Sequence, residues 1–178
     1  MKTLYISNEK RRALLAYILS KPGERIAIRK IASELGLAPG FVSSFVKKLK
    51  EGGLVKEGKA DLHSPLVRAW KILLNIETLS PFLGKLAKTT GARGIGLFGS
   101  WAQGANTEGS DVDIWIKVDR KPDDLAIARG RDLLSRGLGC ETSLLVLTPE
   151  KIGKLRESDR SFYLSISKSF HLWGENLD

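Results

Sequence analysis

Gly94-Ile95-Gly96-Leu97-Phe98-Gly99-Ser100-Trp101-Ala102-Gln103-Gly104, followed after a polar connection by Ser110-Asp111-Val112-Asp113-Ile114-Trp115-Ile116, is the most informative part of the chain. Gly94 to Phe98 is short and apolar, as a buried strand should be, and the small pair Gly99-Ser100 allows a sharp turn into a helix beginning near Trp101. An outward-facing helix N-terminus would offer free N–H groups and the positive end of its dipole to a phosphate, with the Ser100 hydroxyl as a further donor. Asp111, Asp113 and Trp115 alternate with Val112, Ile114 and Ile116, which predicts a strand with one buried face and sets both carboxylates on the other. Two carboxylates so placed can share hard divalent cations, one activating an attacking hydroxyl and the other neutralising a leaving pyrophosphate. Alone, a Gly-Ser turn or an Asp-x-Asp pair on a solvated face means little; in this order, between two strands, they point to nucleotidyl transfer.

The pattern resembles the polymerase-beta-like nucleotidyltransferase superfamily, in particular its minimal branch, whose signature is Gly-Ser-x-Ala-Arg-Gly, a loop, then Ser-Asp-x-Asp. The chain matches at Gly99, Ser100, Ala102, Gly104, Ser110, Asp111 and Asp113, and departs at Gln103, where Arg is usual, so the nucleotide loses one neighbouring cation. The resemblance implies nucleotide contacts from Gly99, Ser100, Gln103, Gly104 and Ser110, Mg²⁺ or Mn²⁺ on Asp111 and Asp113, and ATP or another nucleoside triphosphate as substrate. It also implies a third carboxylate on a later strand. Glu141 is the one acid of the strand-like segment Gly139 to Leu147 and is the candidate, as metal ligand and as the group that orients or deprotonates the acceptor hydroxyl. The alternative for Glu141 is a solvated carboxylate at a strand edge. Minimal nucleotidyltransferases often act as antitoxins that adenylylate a toxin, which makes a protein acceptor one expectation and a nucleic-acid hydroxyl another.

The formal charge of +9 is unevenly distributed. The first 62 residues hold 13 Lys or Arg against 6 Asp or Glu, a surplus of +7, whereas the remaining 116 hold 16 against 14. The surplus fits either an anionic partner for an N-terminal module or ordinary solubilising lysine. From Asn8, Leu14, Leu15, Ile18 and Leu19 recur at helical spacing up to Lys21-Pro22-Gly23; a second helix is expected from Ile26 to Leu35, and a third from Pro39 or Gly40 with Phe41, Val42, Phe45, Val46 and Leu49 inward. Gly52-Gly53 ends it, and Leu54 to Leu62 reads as two short strands about Glu57-Gly58. This order resembles winged helix-turn-helix domains, which implies duplex DNA contacts from Ser43, Ser44, Lys47, Lys48 and Lys50 on the third helix and from Lys56 and Lys59 on the wing. Such domains also dock proteins, and that alternative stays open.

The expected organisation is α+β: a winged helix-turn-helix domain at 1–62, linker helices at 63–90 (65–76 and 81–88, broken by Glu77 to Ser80), and a small polymerase-beta-like domain with a mixed sheet at 91–178. Within the last, Pro122 to Ser135 reads as a helix and Pro149 to Lys168 as one or two helices. The linker stripe Val67, Trp70, Leu73 and Leu74 is expected to pack on a domain, and it also admits a homodimer contact. One cysteine, Cys140, excludes an internal disulfide, and two histidines leave no material for a zinc site or a His-based triad. No membrane-length apolar run and no signal-peptide core at Met1-Lys2-Thr3 are read, so a cytoplasmic location without a membrane partner is expected. A DNA-binding regulator whose transferase fold senses a nucleotide or serves as an interaction platform is the competing expectation.

Overall fold

The computed structural model describes residues 8–177; the first seven residues of the expected N-terminal domain, with the Met1-Lys2-Thr3 reading, lie outside the described residues. The chain divides into two compact units, 1–74 and 75–178. No helix among the described residues is long and apolar enough to cross a membrane.

In the first unit, Asn8 caps α1 (Glu9–Ser20) by accepting the Lys10 N–H, one of the donors a helix start leaves unpaired. α2 (Ile28–Glu34) and α3 (Pro39–Glu51) follow, α3 with proline in its first turn, where a missing N–H costs nothing. Leu14, Leu15, Ile18 and Leu19 of α1 meet Ile31 and Ala32 of α2 and Val42, Phe45, Val46 and Leu49 of α3 in one core. β1 (Val55–Lys56) and β2 (Lys59–Ala60) pair antiparallel about Glu57 and Gly58, both at positive φ (51° and 78°), as the twist of a two-residue hairpin requires. Lys71, only 2% exposed, donates from Nζ to the Leu19 carbonyl at 2.8 Å, and burial pushes its ammonium down to about 8.

The stretch expected as two linker helices is one, α4 (Pro65–Thr90), with Pro81 inside it. Val67, Trp70 and Leu74 join the core of the first unit, and Leu79, Leu83, Leu86 and Ala87 that of the second. Proline removes one helical hydrogen bond, but the i, i+4, i+7 row Leu79, Leu83 and Leu86 is buried on both sides of it and holds the helix together.

The second unit is a four-stranded mixed sheet in the order β5-β4-β3-β6, made of β3 (Gly94–Phe98), β4 (Val112–Lys117), β5 (Thr142–Leu147) and β6 (Phe170–Gly174). β3 runs antiparallel to both neighbours, while β4 and β5 are parallel, joined through α6 (Asp124–Leu138). One face, with Ile95, Leu97, Val112, Ile114 and Ile116, packs on α4 and α6. The expectation of a single buried face on β4 is corrected here: Trp115 is 1% exposed and shares a second core with residues of α7 (Pro149–Ser158) and α8 (Arg160–Ser167). Gly96, opposite Trp115, is the reason it fits, since a Cβ there would lie 2.1 Å from the indole. The indole instead crosses β3 to stack on His171 and donates to Ser169 Oγ at 2.8 Å. β6 had no counterpart in the sequence reading; its five residues carry a register shift against β3 that spoils the alternation.

Candidate active site

The end of β3 is built around Gly99. Its φ of +67° is open to glycine at little cost, and a Cβ at this position would sit 2.1 Å from Asp113 Oδ2, so the missing side chain lets the backbone approach the carboxylate. The helix that follows, α5, spans only Gly99–Ala102 and starts at the glycine itself. This corrects the expected helix near Trp101: one turn has little macrodipole, and what it offers an anion is the first-turn N–H groups with the half-buried Ser100 beside them. Gln103 is exposed and closes the turn by donating its N–H to the Gly99 carbonyl at 3.3 Å. Gly104 is buried at φ +62°, and Ala105 N–H returns to the Ser100 carbonyl at 3.0 Å.

Asp113 is paired across the sheet with Phe98 and is half-buried; Asp111, exposed, immediately precedes β4. Burial first, and then the charge of Asp111, push the Asp113 carboxyl above the ordinary carboxylate range. Two hard oxygen donors that repel each other beside an open backbone turn suit a divalent cation, which relieves that repulsion, so the donor set fits Mg²⁺ or Mn²⁺. Phe98 and Phe162 of α8 meet edge to face at 6.3 Å, an aromatic wall next to Asp113.

The third expected carboxylate lies one strand over, beside Asp111 and not beside Asp113. Val112 pairs with Thr142 and Asp113 with Ser143; one residue back, Val112 N–H donates to the Glu141 carbonyl at 2.9 Å. The register therefore sets Glu141 level with Asp111 at the open end of the sheet, exposed, and gives the position beside Asp113 to Ser143. Among the described residues, no group of three or more His, Cys, Asp or Glu side chains is gathered for a metal. The Ser110 hydroxyl accepts the Thr107 N–H at 2.8 Å and so shapes the loop ahead of Asp111.

Two residues of this region were missed in the sequence. Asn75 of α4 donates from Nδ2 to the Trp101 carbonyl at 2.9 Å and to Asn106 Oδ1 at 3.1 Å. Their only sequence signal is polarity: Asn75 interrupts an apolar helix stripe and Asn106 follows a buried-looking glycine turn.

In the first unit, Ser43, Ser44, Lys47, Lys48 and Lys50 are all exposed on the arc of α3 opposite Val42, Phe45, Val46 and Leu49, and Lys56 and Lys59 are exposed on the hairpin. Four-residue spacing stacks Ser43 over Lys47 and Ser44 over Lys48.

Comparison with known proteins agrees with both units. A winged helix-turn-helix DNA-binding family model matches residues 7–56, and a nucleotidyltransferase domain model matches residues 76–167. No curated protein matches the chain. Among solved structures, a toxin-antitoxin complex with AMP-PNP is 23% identical, covering 54% of this chain and 73% of the other at a TM-score of 0.42. A chain from tri-AMPylated Shewanella oneidensis HEPN toxin in complex with MNT antitoxin is 20% identical, covering 58% and 73% at a TM-score of 0.39. The nucleotidyltransferase match takes in more than half of the chain, including the Gly99 turn and both aspartates, so the chain belongs to the nucleotidyltransferase domain family, with a winged helix-turn-helix domain ahead of it.

Proposed function

We propose that the C-terminal unit transfers a nucleoside monophosphate, AMP from ATP, to a hydroxyl of a protein or nucleic acid, and that the N-terminal unit binds duplex DNA. The observation that carries the reading is the side-chain-free approach of Gly99 to Asp113, which brings the turn bearing Ser100 against the strand that carries the aspartates. In the reaction the acceptor oxygen attacks the α-phosphorus, the bond from that phosphorus to the bridging oxygen breaks, and pyrophosphate leaves with the bond pair. Asp111 and Asp113 would hold Mg²⁺ or Mn²⁺, which supplies charge neutralisation for the phosphates. First-turn N–H groups of α5 and the Ser100 hydroxyl would hold the outgoing phosphates, with Gln103 and Gly104 completing the turn. Glu141 would take the acceptor's proton from the solvent-open end of the site. The family resemblance favours a toxin-like protein as acceptor, and the reaction would run in the cytoplasm.

Incubation with ATP labelled at the α-phosphate and Mg²⁺ or Mn²⁺, alone, with proteins encoded beside this chain and with RNA, tests the reading. Label is expected to move to one acceptor and to be lost in Asp111→Asn. A nucleotide-sensing DNA-binding regulator is the second reading. Ser143, which stands where a third carboxylate would flank Asp113, favours it. ATP that binds without transfer to any acceptor and changes duplex affinity would select that reading.

A further inference from the structure

We infer that Asn75 is a positioning residue for the nucleotide site, a clamp that holds the Ser100 turn and the loop leading to Asp111 at a fixed separation; the inference rests on the transferase reading. Asn75 is 8% exposed and its partner Asn106 9%, so loss of either contact leaves a buried polar group unpaired. An amide nitrogen has two hydrogens, and both are engaged: one on the Trp101 carbonyl at 2.9 Å, the last turn of α5, and one on Asn106 Oδ1 at 3.1 Å.

Each contact reaches a different half of the site. Trp101 is adjacent to Ser100, and its indole N–H extends to the Ser110 carbonyl at 3.4 Å, next to Asp111. Asn106 begins the loop that Ser110 closes by accepting the Thr107 N–H. Thus the phosphate-facing turn and the approach to the carboxylates are tied to one side chain on α4, a helix that Leu79, Leu83 and Leu86 fix to the sheet. Asp lacks the donors and would set acceptor against acceptor twice, Leu has no polar atom, and Gln is a methylene too long.

ATP binding with Mg²⁺, measured by calorimetry, tests the clamp in Asn75→Asp, Asn75→Leu, Asn106→Ala and Asn106→Asp. All are full-length and compared well below their thermal midpoints. Asn75→Asp and Asn75→Leu are expected to weaken ATP binding at least tenfold and Asn106→Ala several-fold. Asn106→Asp keeps the acceptor and should remain within about threefold of the parent. In transfer assays the KM for ATP should rise while that for the acceptor is unchanged. A merely structural role would lower the thermal midpoint without touching ATP affinity in the folded variants. Parent-like affinity in Asn75→Leu and Asn106→Ala overturns the clamp. No ATP binding by the parent is a different outcome, which overturns the transferase reading on which the clamp rests.

Discussion

Replacing Lys71 by Met should stabilise the first unit at neutral pH and lose that advantage as the pH is raised. Lys71 is 2% exposed, its ammonium has the Leu19 carbonyl at 2.8 Å, and its affinity for the proton is pushed by burial from 10.5 to about 8. At 1.36 kcal/mol per decade, that gap means the native state gives up about 3 kcal/mol by holding the charge at pH 7. Met keeps the length of the chain and removes the charge; the lost hydrogen bond returns about 1 kcal/mol, leaving a net gain of about 2 kcal/mol. The sign follows from linkage. Below about pH 8 both native and unfolded chains carry the proton and the full penalty applies. Between about 8 and 10.5 the unfolded chain binds more protons than the native one, so parental stability rises with pH, and above that the penalty is gone. Trp70 is the only tryptophan before residue 75, so with 5-fluorotryptophan its ¹⁹F resonance follows urea unfolding of this unit separately from the other three. The difference between variant and parent should shrink from pH 7 to 10.5. A difference that stays constant, or lysine resonances that all titrate above 10, would refute the argument.

Asp113→Asn should raise the thermal midpoint of the metal-free second unit wherever the parent carboxyl is ionised, while abolishing transfer. A carboxyl whose proton affinity is raised by burial and by Asp111 costs stability once ionised, and the amide does not ionise; scanning calorimetry beside the labelled-ATP assay checks both halves. Glu57→Asn should stabilise the hairpin by about 0.5–1 kcal/mol, because Asn tolerates the φ of 51° better than Glu does; an unchanged urea midpoint for the first unit would count against it. Lys47→Ala with Lys48→Ala should weaken binding to all duplexes alike and make the dependence of log K on log salt shallower by about 2, as seen in anisotropy titrations. Sequence-selective loss instead would mean these lysines reach base edges.

Much of this is legible in the sequence alone, and the reasons differ by element. α1, α3 and the Glu57-Gly58 turn are written locally, in a cap, a proline and a glycine, so their boundaries fall where the residues put them. The closeness of Gly99 to Asp113 was legible only as a motif, because it depends on two strands pairing in register. What was not legible is long-range. Pro81 and the segment Glu77 to Ser80 read locally as a break, yet burial of Leu79, Leu83 and Leu86 keeps α4 whole. β6 is too short and irregular to announce itself, and Trp115 reads as a solvated position until α7 and α8 cover it. Glu141 was chosen as the one acid of its segment, and only the parallel ladder reveals that Ser143 is the neighbour of Asp113.

The double burial of β4 ties reactivity to the core. Side chains on a strand alternate, so sliding β4 by one residue would turn Trp115 into the space of Ile114 and Ile116, and those residues into the slot over Gly96. Neither cavity accepts the exchange. The aim of Asp113 is therefore enforced by shape on both sides of the sheet and does not depend on any contact of the carboxylate itself. A substitution at Asp113 can silence the site and leave the strand where it is, whereas one at Gly96 or Trp115 would misdirect a chemically intact carboxylate.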